Sequence, residues 1–76
     1  MIELFRCIIK FNLPNIYIGK DYNHRSYKIK KNKYLIGKVG YDKTFFAIRK
    51  KGIFMDTLVP VSDEEAYSDE EAYKEK

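Results

Sequence analysis

Short runs rich in Ile, Phe and Tyr, each closed by a turn-forming residue, constrain this chain more than any other feature. Runs of this kind are too short for a long amphipathic helix, and their β-branched and aromatic content suits a pleated, half-buried surface. Ile2 to Phe11 is the first. Read as a strand, it puts Phe5, Cys7, Ile9 and Phe11 on one face and Ile2, Leu4 and Ile8, with Arg6 and Lys10, on the other. Read as a helix, it leaves a stripe of Leu4, Ile8 and Phe11. The composition favours the strand, and Leu13-Pro14-Asn15 closes it with a turn.

The pattern then repeats. Ile16 to Ile18 reads as a short strand ending at Gly19, and Lys20 to Arg25 as a polar loop. Ser26 to Lys30 alternates, with Tyr27 and Ile29 on one face, and Lys31 to Lys33 turns the chain. Tyr34 to Tyr41 is expected to be a strand whose Gly37 and Gly40 mark a bulge, a bend or a close backbone approach. Thr44 to Lys50 places Phe46 and Ile48 on one side and Phe45 and Ala47 on the other. Lys50-Lys51-Gly52 supplies a hairpin turn, and Ile53 to Val59 is expected to be the last strand, stopped at Pro60.

Five or six short strands in 76 residues predict a mostly β domain, a small SH3-like or OB-like barrel, followed by a short acidic C-terminal helix. The paired glycines fit a strand that curves to close such a barrel. A core this small buries only roughly 60% of the unfolded surface, so homodimerisation is an added expectation. Cys7 is the only cysteine, so no internal disulfide is available, which suits a reducing, cytoplasmic compartment. Glu3, Arg6 and Lys10 interrupt the first apolar stretch, unlike a signal peptide. No segment approaches the roughly 20 apolar residues of a membrane helix, so no membrane partner is expected. The richness in Lys, Ile, Asn and Tyr fits AT-rich coding, a trait of small phage and mobile-element proteins.

Charge divides the chain. Residues 1–61 hold thirteen Lys and Arg against Glu3, Asp21, Asp42 and Asp56, a net +9. Residues 62–76 hold seven acids against Lys74 and Lys76, a net −5, and the two sum to +4. The expected organisation is therefore a basic β domain over 1–61 and an acidic tail over 62–76. That tail contains a perfect tandem repeat, Ser62-Asp63-Glu64-Glu65-Ala66-Tyr67 followed by Ser68-Asp69-Glu70-Glu71-Ala72-Tyr73. Each copy begins with Ser and has Glu three residues on, the capping-box spacing, and early acids suit a helix N-terminus.

The sequence argues against catalysis and against a cofactor. His24 is the only histidine and falls in a polar loop, while Cys7 sits on an apolar strand face, so no nucleophile, base and orienter are brought together by pattern. No phosphate-binding glycine loop is present. The tail acids lack the ligand spacing and turning Gly of a calcium loop, so no metal site is expected.

Two noncatalytic readings remain. The first is nucleic-acid binding, in which a basic groove tracks phosphates and aromatic rings stack on bases. Lys28, Lys30, Lys31, Lys33 and Lys38 run beside Tyr27, Tyr34 and Tyr41, and Lys43, Arg49, Lys50 and Lys51 run beside Phe45. Lysine outnumbers Arg, which favours phosphate contact over bidentate base reading. A barrel with an acidic tail is similar in layout to some single-strand-binding proteins, and a small barrel ending in a helix to archaeal chromatin proteins. No motif carries either likeness, and no family is assigned. The second reading is a protein-binding module that inhibits a host factor through Asp63, Glu64, Glu65, Tyr67, Asp69, Glu70, Glu71 and Tyr73. Clustered carboxylates imitate a nucleic-acid backbone, and Tyr is a favoured interface anchor.

Overall fold

The structure, a computed structural model, describes residues 2–66. Five strands form a closed barrel: β1 (Ile2–Asn12), β2 (Ile16–Asp21), β3 (Ser26–Lys30), β4 (Asp42–Lys50) and β5 (Asp56–Pro60). The order around the barrel is β1-β2-β3-β5-β4. All neighbours are antiparallel except β3 and β5, which run parallel. Of the two barrels that the strand pattern allows, this is the OB-like order.

Closure depends on the length of β1. Its first part, Ile2 to Ile8, pairs with β4, and its second, Cys7 to Asn12, pairs with β2. One strand thus serves both sides of the barrel and leaves no free edge, which removes the aggregation hazard of an unpaired ladder. A bulge interrupts the second part. Ile9 faces Gly19 and Phe11 faces Ile18, so Lys10 is the extra residue. A bulge breaks the two-residue alternation. Phe5, Cys7 and Ile9 point inward as the alternation predicts, but Phe11 is carried to the outside and is 61% exposed. The expectation that Phe11 shares their face is corrected by that one inserted residue.

The core comprises Phe5, Cys7, Ile9, Tyr17, Tyr27, Ile29, Leu35, Phe45, Ala47 and Leu58, so every strand contributes. The rings of Phe5 and Tyr27 meet edge to face at 5.7 Å, and Phe5 and Phe45 lie 6.2 Å apart. Burial also accounts for the Cys7 thiol, whose pKa is pushed up to about 11 by desolvation and by the nearby charge of Asp21.

Two expected strands differ from the structure. Tyr34 to Tyr41 is not a strand but part of the connection between β3 and β4, with one isolated bridge between Asn32 and Leu35. The Asn32 side chain accepts the Tyr34 amide at 3.0 Å, and the Asn32 carbonyl accepts the Leu35 amide at 3.4 Å. These local bonds turn the chain and drop Leu35 into the core. Gly37 then lies against Ile9: a Cβ there would stand 3.1 Å from Ile9 Cγ1. Its amide donates to the Tyr17 hydroxyl at 3.3 Å. Gly37 therefore serves a close approach, one of the roles its sequence position allows, though outside a strand.

The last strand begins at Asp56 rather than Ile53. The Gly52 amide donates to the Asp56 carboxylate at 3.2 Å, and a Cβ at Gly52 would come within 2.1 Å of the Met55 carbonyl oxygen. The chain doubles back there, and Ile53 and Phe54 form the tip of a loop. Pro60 ends β5 but belongs to it, with its ring fully buried.

After β5 the Val61 amide donates to the Phe46 carbonyl at 2.9 Å, and Val61 is buried. A single helical turn covers 63–66. The Ser62 hydroxyl accepts the Glu65 amide at 3.1 Å, as the capping-box spacing predicts, and Ala66 is buried. The rest of the expected helix lies outside the described residues.

Candidate nucleic-acid interface

Strand register assembles a row across the outside of the barrel. Phe11 faces Ile18, Ile18 faces Lys28, Lys28 faces Thr57 and Thr57 faces Lys50. Each step is one strand spacing, so the row follows a path of roughly 19 Å along the curved surface, winding around the closed barrel. It begins with an exposed ring, continues through a half-buried aliphatic side chain, and presents exposed lysines at its centre and far end. A second pair, Ile16 and Lys30, lies beside it on β2 and β3, and Lys20 faces Ser26 on the other side.

Charges sort themselves around this row. Among the described residues every ion pair uses an arginine: Arg6 with Asp42 at 3.1 Å, and Arg49 with Glu3 at 3.7 Å and Asp56 at 3.8 Å. None of the ten lysines of residues 1–61 pairs with an acid among the described residues. The fourth acid, Asp21, accepts the Asn23 amide at 2.8 Å, the Arg25 amide at 2.9 Å and the Tyr27 hydroxyl at 3.1 Å. Burial opposes ionisation of Asp21, but these donors outweigh it and hold its pKa below the ordinary value. Asp42 is held low chiefly by the Tyr22 hydroxyl, which donates at 2.6 Å, and then by Arg6. The body's carboxylates are thus satisfied by arginine, tyrosine and backbone groups, and among the described residues its lysines have no acidic partner.

The sequence-predicted residues separate into three groups. Lys28, Lys30 and Lys50 lie on the exposed outer face of β3 and β4, with Lys51 just beyond in the loop. Lys31, Lys33, Tyr34, Lys38 and Tyr41 lie on the connection between β3 and β4. There Lys31 stands 4.8 Å over the Tyr17 ring and hydrogen-bonds Asn12, Lys33 stands 5.2 Å over Tyr34, and Lys38 stands 5.3 Å over Tyr41. Tyr34 is 46% exposed and Tyr41 58%. The third group points the other way. Tyr27 is in the core, so its ring offers no platform for a base. Arg49 closes one end of the barrel. It donates to the Tyr27 hydroxyl at 3.2 Å, with its guanidinium 5.3 Å from the Phe5 ring. Lys43 is half-buried and faces Cys7 in register, on the inward phase of β4 that also holds Phe45 and Ala47. Phe45 is likewise core.

Of the acidic residues, Asp63, Glu64 and Glu65 are exposed on the capped turn. Tyr67, Asp69, Glu70, Glu71 and Tyr73 lie outside the described residues. Sequence pattern missed Phe11, Ile18, Lys20 and Thr57, because a row that crosses strands has no signature along the chain. His24, at φ 65°, occupies an exposed turn. No helix among the described residues is long and apolar enough to cross a membrane. No protein-family model, curated protein or solved structure matches the chain, so its likeness to an OB-like barrel is one of strand order.

Proposed function

We propose that this chain is a noncatalytic nucleic-acid-binding barrel that engages the phosphate backbone through the outer face of β2, β3 and β5. The observation that carries this reading is the row from Phe11 to Lys50, in which lysines without acidic partners among the described residues stand beside an exposed ring and an aliphatic side chain. Ammonium groups of this kind contact phosphates as point charges without reading bases, and flanking apolar surface meets base faces. Lys30, Lys31 and Lys33 extend the basic surface onto the β3–β4 connection, with Lys38, Tyr34 and Tyr41 further along it. The raised pKa of the buried Cys7 thiol runs against a nucleophilic role and favours the noncatalytic reading. A reducing, cytoplasmic setting goes with that thiol.

The test is fluorescence anisotropy of the full chain with a labelled oligonucleotide across salt. Binding that weakens steeply as salt rises, and that weakens further in a Lys28→Gln/Lys50→Gln variant, is expected. No binding at low salt would sink the reading.

A second reading has its own observation. The Ser62 cap presents Asp63, Glu64 and Glu65 together on one exposed turn. That geometry suits a protein partner with a basic groove, such as a host factor whose nucleic-acid site the acidic repeat would occupy. Full-length protein should capture such a partner, and a variant with the repeat's carboxylates changed to amides should not. Capture that survives the change removes the tail from that role.

A further inference from the structure

The two most exposed large hydrophobic side chains among the described residues are neighbours: Ile53 and Phe54, each 94% exposed. They sit at the tip of the β4–β5 loop, and the root of that loop is fixed. Lys50 and Thr57 face each other in the ladder, and the Asp56 carboxylate accepts the Gly52 amide while standing 3.8 Å from Arg49. Glycine at 52 permits the doubling-back, since a Cβ there would clash with the Met55 carbonyl oxygen.

We propose that this loop is a wedge that places Phe54, with Ile53, against unpaired bases, so that the face selects single strands over duplex. The inference rests on the nucleic-acid reading of the row. Lys50 and Lys51 stand at the root of the loop without acidic partners among the described residues, so the occupant carries negative charge close to an apolar surface. Nucleic acid meets that demand, but a duplex hides its base faces in the stack. An unpaired strand presents one π-face per base next to each phosphate. An anionic bilayer also combines charge with an apolar interior. The continuity of the loop with the row decides between them. Lys50 ends the row, and Phe11, an exposed ring, begins it, with the row winding around the closed barrel between them. A flexible strand wound along the row reaches Phe11 and the loop tip, whereas a flat membrane surface touching the tip cannot follow the row around the barrel.

The chain contains no tryptophan, so a Phe54→Trp variant carries a single, unambiguous fluorophore. The full-length variant is titrated with an oligothymidine of about 20 nucleotides, with a blunt duplex of the same length, and with vesicles containing phosphatidylserine. Expected are quenching of the emission by oligothymidine and little change with duplex. In parallel, Phe54→Ala should weaken oligothymidine binding about 5- to 150-fold, the range of losing one stacked base. The dependence on salt should stay as in the parent, because no charge is removed, and duplex binding should be unaltered.

Unchanged oligothymidine affinity in Phe54→Ala, together with loss in Lys28→Gln/Lys50→Gln, overturns the wedge and leaves the basic row standing. No binding by the parent protein overturns both. A blue shift with vesicles but no response to oligothymidine replaces the wedge with a membrane contact. A concentration-dependent shift without any ligand, and no further change when oligothymidine is added, replaces it with self-association.

Discussion

Arg49 and Tyr27 close one end of the barrel together: the guanidinium donates to the phenol oxygen at 3.2 Å, and that phenol donates to Asp21 at 3.1 Å. Both residues look in the sequence like parts of a basic, aromatic surface. In the fold they form a polar plug between the core and the cluster of carboxylates. Burial first, and then the bond to Asp21, raises the Tyr27 pKa and keeps the hydroxyl protonated as a donor.

Tyr27→Phe should therefore affect stability and leave binding alone. It removes one acceptor from Arg49 and one donor from Asp21, at a cost of about 1–3 kcal/mol. In a domain of this size that lowers the melting temperature by roughly 4–8 °C per kcal/mol. Oligonucleotide affinity measured well below the transition should match the parent. A large loss of affinity without a loss of stability would return Tyr27 to the binding surface.

Stability should fall in acid, with a definite sign. Asp21 and Asp42 both have folded-state pKa values below their unfolded ones, Asp21 through backbone amides and Tyr27, Asp42 through Tyr22 and Arg6. Their contribution is complete above the unfolded value of about 4 and disappears as pH falls through the depressed folded values. Thermal melts from neutral to strongly acid pH should show this decline. Asp42→Asn should be less stable at neutral pH and should show a shallower decline, since one of the two linked groups is gone. An unaltered pH profile in that variant would mean that the Tyr22–Asp42–Arg6 contact contributes nothing in solution.

The lysines differ in what they should contribute. Lys28 and Lys50 stand on the row, whereas Lys43 is half-buried on the inward phase of β4. Removing a phosphate contact lowers the slope of log affinity against log salt by about 0.7 for a single strand. Lys28→Gln and Lys50→Gln should each show a decrease of that order, and Lys43→Gln a smaller one. Equal slopes for all three would mean that net charge alone, rather than the row, sets affinity.

Gly37→Ala tests the connection between β3 and β4. The new methyl would stand 3.1 Å from Ile9 Cγ1 and 3.3 Å from its Cδ1, inside a core where Ile9 is fully buried. Overpacking of this kind costs about 1–3 kcal/mol. Chemical denaturation should show it as a lower midpoint. A midpoint equal to the parent's would mean that the connection shifts freely on the barrel.

Changing the repeat's carboxylates to amides in the full chain should tighten oligonucleotide binding or leave it equal, because the acids lower the local attraction for phosphate. Weaker binding would instead make the tail part of the nucleic-acid site.

Local pattern accounts for much of this protein. The alternation of Tyr27 and Ile29, and of Phe45 and Ala47, marks the inner faces of β3 and β4 because side chains in a strand repeat every two residues. Ser62 and Glu65 foretell the capped turn because a cap needs only residues three apart. What pattern misplaces depends on partners distant in the chain. Phe11 leaves the core because Lys10 bulges against β2. Tyr34 to Tyr41 loses its strand because Leu35 finds the core and Gly37 finds Ile9. Ile53 and Phe54 leave β5 because Gly52 binds Asp56. The row from Phe11 to Lys50 takes one residue from each strand, so only the barrel's register creates it. Strands, a basic body and an acidic, capped tail are legible along the chain, since those follow from residues that are neighbours in it. Which cations face outward and which plug the barrel was decided by tertiary pairing, since a lysine or arginine on a strand takes its direction from the register of the ladder beside it.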